Sequence, residues 1–254
     1  MVLVIDVGNT HTVVGSYKKD TLEFTARVST NPNRTDIEYA VMIESCLKMH
    51  NASKSDIEGA IISSVVPSIT SILVRAIKML YGINTLVVGP GIKTGINLLV
   101  DSPVQVGADL ICACVATHDM YNEPALIIDM GTATKIIAVD ENGSFLGVSI
   151  IPGVEISLKA LAGGTAQLPG IGFDSPKRVI GKNTVECMKS GVIYGNASLV
   201  DGMIDRAEKE LGKKHILLAT GGLAHDIIPH CAHNIKIDEN LVLKGLYSIY
   251  KKNI

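Results

Sequence analysis

The chain has 254 residues, 47% of them hydrophobic, which is enough for one large domain or two small ones with buried cores. Its formal net charge of -2 offers no broad basic field, so the composition argues against nucleic acid or a membrane surface as a partner and favours a small molecule. Residues 1–6 include no basic segment, and no apolar run reaches about 18 residues, the length of a membrane span, so we expect a cytoplasmic protein.

The first half of the chain predicts three strands, then a helix, then a strand–helix–strand unit. Apolar or β-rich runs predict the strands at residues 2–7, 12–17 and 22–28. Thr35 caps an amphipathic stretch that predicts a helix to about His50. A second helix, over residues 67–81, separates short buried strands at residues 61–62 and 86–88.

The second half repeats the order of the first. An apolar strand leads into Asp-x-Gly at Asp6 and again at Asp129, and small polar residues and a β-rich run follow in both places. A hairpin signal at residues 141–143 predicts paired strands here as well, and residues 122–124 form a plausible boundary. We therefore expect a duplicated α/β fold, with domains at residues 1–121 and 122–254.

The turn after the first strand carries phosphate-binding chemistry. Asp6 ends the strand beside Gly8, and Asn9 and Thr10 follow. Backbone N–H groups of a glycine turn can approach phosphate oxygens closely, and a carboxylate there can hold magnesium through water. An ordinary hairpin with common turn residues is the alternative for this segment alone.

A second turn of the same kind favours phosphate binding over an ordinary hairpin. Asp129, Gly131 and Thr132 offer the same groups at the start of the other half, so two phosphate loops predict a nucleotide cleft with Asp6 and Asp129 facing each other. The glycine pair at residues 221–222 fits either the adenosine moiety or a simple helix-entry turn. The sequence has neither a P-loop nor a GxGxxG fingerprint.

Seven motifs in order along the chain resemble the type III pantothenate kinases. They lie at residues 6–10, 89–95, 106–109, 129–134, 181–184, 220–224 and 243–246. Each is weak alone, but their joint order is specific and covers nearly the whole chain.

The resemblance implies two actin-like (ribonuclease H-like) domains of the acetate-and-sugar-kinase superfamily, with ATP in the cleft between them. It implies phosphorylation of pantothenate to 4′-phosphopantothenate, the first step of coenzyme A biosynthesis. It also implies magnesium, a monovalent cation (potassium or ammonium), and a homodimer with the substrate site near the interface.

The resemblance assigns individual residues as well. The ATP phosphates would be cradled by Asp6, Val7, Gly8, Asn9, Thr10, His11, Thr12 and Val13, and Thr132 would contact the nucleotide from the second domain. Pantothenate would be contacted by Val100, Gly107, Ala108, Asp109, Leu110 and Thr184. Asp6 would hold magnesium through water, and Asp129 would bind the monovalent cation.

Asp109 is the predicted general base. A carboxylate within about 3 Å of a primary hydroxyl can orient it and accept its proton during phosphoryl transfer. The alternative is a cap on the helix that follows, a role that Asp after Gly suits. Both roles are compatible.

Three positions depart from the family pattern. Leu110 stands where the family usually has arginine, which removes guanidinium donors that could hold a carboxylate or amide. Val100 replaces a polar or aromatic residue, and Lys135 stands where threonine or another uncharged residue is usual. Substrate affinity or identity is therefore open, whereas the phosphate side is intact.

Two other functions remain open: a kinase or ATPase of the same fold with another small acceptor, and a catalytically silent regulatory homologue. A metal cluster of His225, His230, Cys231 and His233 is a weaker candidate, because the spacing fits no standard zinc pattern. The five cysteines form no Cys-x-x-Cys pair and are expected as buried free thiols.

Overall fold

A computed structural model describes residues 1–53 and 56–254 and divides the chain into two compact units. The first unit, unit 1, comprises Met1–Ile96, Asp101–Met120 and Leu241–Ile254. The second, unit 2, comprises Asn97–Val100 and Tyr121–Asn240. Each contains one five-stranded mixed sheet with helices against it.

The strands are β1 Val2–Val7, β2 His11–Lys18, β3 Thr21–Ser29, β4 Gly59–Ser64, β5 Thr85–Val87, β6 Ala125–Met130, β7 Ala133–Val139, β8 Phe145–Pro152, β9 Ile216–Thr220 and β10 Lys236–Ile237. The α-helices are α1 Asp36–Met49, α2 Pro67–Tyr81, α3 Ala108–Tyr121, α4 Val154–Gly163, α5 Thr184–Leu211, α6 Ala224–Ile227 and α7 Leu241–Lys251.

Local signals explain the helix limits in the first half. Thr35 accepts a hydrogen bond from the Glu38 amide while the Glu38 carboxylate accepts from the Thr35 amide, so α1 begins with a complete capping box. Pro67 occupies the first turn of α2, and Gly82 ends that helix in the left-handed conformation at φ 71°. Both predicted helices are confirmed.

The two sheets have the same topology. Their strand orders are β3-β2-β1-β4-β5 and β8-β7-β6-β9-β10, and in each the central strand pairs antiparallel with the next strand and parallel with the fourth. In both β1 and β6, four buried residues precede a half-buried aspartate and a last buried residue. The predicted duplication is confirmed.

The C-terminal helix α7 belongs to unit 1. The predicted domains, residues 1–121 and 122–254, had assigned it to the second half. The Tyr247 ring stacks on Tyr17 with centroids 4.1 Å apart. A Cβ atom at Gly245 would collide with the Cys112 carbonyl, so only glycine lets α7 approach α3 this closely. The chain therefore returns to its first sheet after completing its second.

The helices of the described part of the chain were compared with the length and apolarity of a membrane span. None of them is both long enough and apolar enough to cross a bilayer.

Candidate active site

The turn between β1 and β2 is held by the end of β3. The Gly8 amide donates to the His11 carbonyl over 3.0 Å, and the Thr30 hydroxyl donates to the Gly8 carbonyl over 2.8 Å. The hydroxyls of Thr30 and Thr12 are 2.9 Å apart. Thr30 thus fixes a turn whose Asn9 and the following residue are exposed. Sequence analysis did not identify Thr30, because it lies outside the Asp-x-Gly motif.

Asp6 and Asp109 lie at the same end of unit 1. In the sheet, Asp6 is opposite Ser63 of β4 and Val13 of β2. The buried Cys112 thiol of α3 has a pKa raised well above its usual value, first by burial and then by the charges of Asp6 and Asp109. Contacts place them together as well: a Cβ atom at Gly107 would lie 3.7 Å from Val65 Cγ1, and the Val65 amide donates to the Val7 carbonyl over 3.0 Å.

Gly107 determines where the Asp109 carboxylate lies. Helix α3 begins at Ala108, so Asp109 lies within its first turn, where the helix dipole favours a negative charge. A Cβ atom at Gly107 would fall well inside contact distance of Asp109 Oδ1. The absence of a side chain at Gly107 is therefore what leaves room for this carboxylate.

The predicted substrate residues divide between the two units. In unit 1, Gly107 and Asp109 are half-buried, while Leu110 is only 7% exposed and packs in the interior. In unit 2, Val100 is half-buried and Thr184 is exposed as the first residue of α5. Successive helix residues point in different directions, which explains why Asp109 faces outward and Leu110 does not.

The turn between β6 and β7 in unit 2 is crowded by backbone. The Gly131 amide donates to the Ala133 carbonyl over 3.1 Å, as Gly8 does in unit 1. A Cβ atom at Gly153 would collide with the exposed Thr132 backbone, and one at Gly221 would lie 2.5 Å from the Met130 carbonyl carbon. Gly221 also has φ +95°. Three chain segments thus meet at the end of β6, including the predicted glycine pair.

Asp129 is paired with a residue of its own hairpin. It lies directly opposite Lys135 in the β6–β7 register, and Lys135 Nζ donates to Asp129 Oδ2 over 2.8 Å. The two side chains are 18% and 20% exposed respectively. A potassium ion at this oxygen would lie against an ammonium of the same charge, so these residues do not fit a monovalent cation there.

The residues around Asp6 do fit magnesium. Among residues 1–53 and 56–254, no group of three or more His, Cys, Asp or Glu side chains could hold a metal by itself. Magnesium in kinases does not need such a cage, because one or two carboxylates act together with substrate phosphates and water. The half-buried Asp6, beside the glycine turn, supplies a donor of this type.

The histidines of the rejected metal cluster bind separate partners. His225 Nε2 is 2.6 Å from Glu239, and His233 Nε2 is 3.0 Å from Asp205. His230 Nε2 is 3.0 Å from the Ser175 hydroxyl. The three imidazoles therefore contact three different side chains.

Residues 2–206 match the type III pantothenate kinase family. The type III pantothenate kinase of Halalkalibacterium halodurans is 41% identical over 254 residues, and that of Moorella thermoacetica is 40% identical over 253 residues. In both comparisons the alignment covers 100% of this chain and 100% of the relative.

Solved structures with low sequence identity share the fold. Component A of (R)-2-hydroxyglutaryl-CoA dehydratase from Acidaminococcus fermentans has a TM-score of 0.58 at 16% identity, covering 99% of this chain and 98% of that one. A protein described as a Baf family transcriptional activator from Campylobacter jejuni has a TM-score of 0.60 at 18% identity, with the same coverage. The family match and the identity of about 40% to the two kinases over the full chain, together with the two Asp-x-Gly hairpins, show that this chain belongs to the type III pantothenate kinase family.

Proposed function

We propose that this protein transfers the γ-phosphoryl group of ATP to the primary hydroxyl of pantothenate, giving 4′-phosphopantothenate and ADP, the first step of coenzyme A biosynthesis. The observation that carries the assignment is the identity of about 40% to type III pantothenate kinases over the full length of the chain. The placement of Asp109 beside Gly107, at the same end of unit 1 as Asp6, supports the mechanism.

Asp109 acts as the general base. The hydroxyl of a primary alcohol is a poor nucleophile at neutral pH, and a positioned carboxylate orients it and takes its proton as the new P–O bond forms. Gly107 has no Cβ atom that would displace this carboxylate from its position. Positioning of this kind supplies much of the catalysis in phosphoryl transfer.

Asp6 holds magnesium through water. An ion held there would supply positive charge to offset the charge of the phosphate oxygens. Phosphate oxygens are contacted by the exposed Asn9 and Thr10 and by the backbone of the turn between β1 and β2. Thr132 contacts the nucleotide from unit 2. The ATP cleft with Asp6 and Asp129 facing each other stays a prediction.

Two of the three departures from the family pattern, Val100 and Leu110, lie at predicted pantothenate positions. With Leu110 only 7% exposed, the guanidinium that an arginine would bring is not replaced by another charge at that position. This observation favours one second candidate, a kinase of the same fold with a different small acceptor. The silent regulatory alternative has only a fold likeness at 18% identity to support it.

We also propose a cytoplasmic homodimer. The free state of all five cysteines supports the location, because disulfides are rare in the reducing cytoplasm, and the family resemblance supports the assembly. Light scattering coupled to size exclusion tests the dimer directly, because a dimer of this 27.0 kDa chain differs twofold in mass from a monomer.

An acceptor panel tests the function. Purified protein is incubated with ATP, magnesium and either pantothenate or other small alcohols, and phosphorylated products are identified by mass spectrometry. We expect the mass of phosphopantothenate with wild type and little with Asp109→Asn. Phosphorylation of another alcohol in preference to pantothenate would replace the assignment with the second candidate.

A further inference from the structure

The Asp129–Lys135 pair is not required by the hairpin that carries it. Unit 1 has a hairpin with the same strand order and the same burial along its central strand, although its turn is one residue longer, and there Val13 lies opposite Asp6. A partly buried ion pair also costs desolvation, so its presence is weak support for a role in stability alone. The lysine therefore calls for a functional explanation.

The position of the pair supplies one. Asp129 is next to the turn of Gly131 and the exposed Thr132, where Gly153 and Gly221 bring further backbone to the end of β6. An uncompensated carboxylate at a turn that receives phosphate would repel it. A positive charge next to the Asp129 carboxylate offsets that repulsion. In this protein the ammonium of Lys135 lies 2.8 Å from the carboxylate.

We infer that the Lys135 ammonium takes the place of the exchangeable monovalent cation at Asp129, so that nucleotide binding by this protein does not depend on potassium or ammonium in solution. The inference rests on the proposed function, since it assigns the pair to the ATP site. It concerns a charge that the chain supplies itself, and no step of the reaction passes through a bound monovalent ion.

The test measures ATP binding in two salts. The dissociation constant for ATP with magnesium is determined by calorimetry in potassium chloride and in tetramethylammonium chloride at equal ionic strength, because tetramethylammonium is too large to bind closely to a carboxylate. For wild type we expect the two values to agree within about twofold. For Lys135→Thr we expect binding about tenfold weaker in tetramethylammonium, the size of a lost charge-assisted hydrogen bond. Added potassium or ammonium should restore it.

Two further variants make the result specific. Lys135→Met removes the charge but keeps an apolar stem, and should show the same new dependence on potassium if the protein melts normally. Lys189 is the matched control, since it pairs with Asp174 at 2.6 Å in unit 2 and is 17% exposed. Lys189→Met should bind ATP equally in both salts.

A direct readout does not involve ATP or turnover. Thallium(I), a potassium surrogate, is titrated as its acetate and followed by thallium NMR. We expect saturable line broadening that potassium reverses with Lys135→Thr, and none with wild type. Saturable binding to wild type, or a potassium requirement for its ATP binding, would overturn the inference, as would unchanged ATP binding by both Lys135 variants in tetramethylammonium.

The same measurements separate this inference from the proposed function. If wild type binds ATP equally in both salts but forms no phosphopantothenate, the acceptor assignment fails and the role of Lys135 stands. If wild type binds no ATP in either salt, both fail.

Discussion

The hairpins at Asp6 and Asp129 have one architecture and two different cross-strand partners. Each begins with a strand of the same burial pattern, turns at a glycine whose amide donates to a carbonyl across the turn, and has its aspartate next to a hydroxyl residue of the parallel strand, Ser63 or Thr220. On the antiparallel side, Asp6 is opposite Val13 and Asp129 is opposite Lys135. The duplicated scaffold thus places an apolar side chain opposite one aspartate and an ammonium opposite the other.

The largest expected effect on the rate comes from replacing Asp109, the carboxylate at the start of α3 in unit 1. Asp109→Asn should reduce kcat by about 10²-fold or more while ATP affinity stays near wild type, because an amide keeps the shape but accepts no proton. Steady-state kinetics and calorimetry measure the two quantities. Asp119→Asn, at the other end of α3, is the control and should keep its rate. A near-wild-type rate for Asp109→Asn would leave Asp109 as a helix-terminal residue only.

Gly107→Ala should lower kcat by roughly 10- to 10²-fold, because its Cβ atom would displace the Asp109 carboxylate and small misplacements are costly in catalysis. The stability should change little, since a flexible side-chain end and not the backbone must move. Gly89→Ala is the control, because a Cβ atom there meets nothing within 4 Å. Equal kcat for Gly107→Ala and wild type would show that the carboxylate position does not matter.

A lysine exchange tests the difference between the hairpins. Val13→Lys places an ammonium opposite Asp6, as Lys135 lies opposite Asp129. It should compete with magnesium and raise the magnesium concentration for half-maximal activity about tenfold, the scale of one charge-assisted interaction. Val13→Met controls for side-chain length. An unchanged magnesium response in a folded Val13→Lys protein would argue against magnesium at Asp6.

The smallest expected effect is on the reactivity of Cys112 and Cys114, the buried thiols of α3. Burial raises the pKa of Cys112 and Cys114, and for each thiol Asp109 adds to the increase. The reactive thiolate is therefore scarce in the folded protein up to at least pH 9. Cys187 is exposed, so the expectation that all five thiols are buried is wrong for this residue. Iodoacetamide at pH 8 should label Cys187 first, and label Cys112 and Cys114 only after unfolding, as peptide mass mapping would show. Rapid labelling of Cys112 in native protein would contradict this burial.

Sequence analysis predicted much of the fold because the decisive signals were local. Capping at Thr35, the proline at the start of α2 and Gly82 at its end fix those helices within a few neighbouring residues. The destination of α7 could not be predicted in this way. Its apolar face shows that it must be covered, but the choice of the first sheet depends on the fit of Gly245 against Cys112 across the whole length of the chain.

The candidate site was predictable in part for the same reason. Asp6, Asp109 and Asp129 each lie in a short motif, whereas Thr30 contacts the Gly8 turn from the residue that follows β3. The Lys135 contact was within reach of the sequence, since a tight hairpin sets the register that brings it opposite Asp129. What the sequence does not contain is the distance at which the ammonium and the carboxylate meet.

The measurement that tests the central claim most directly is the phosphorus balance of one reaction. Wild-type protein with ATP, magnesium and pantothenate is followed by phosphorus NMR, and the account predicts one phosphomonoester formed for each ADP, with no phosphomonoester when pantothenate is left out. Conversion of ATP to ADP and inorganic phosphate without a phosphomonoester, or no consumption of bound ATP, would contradict it.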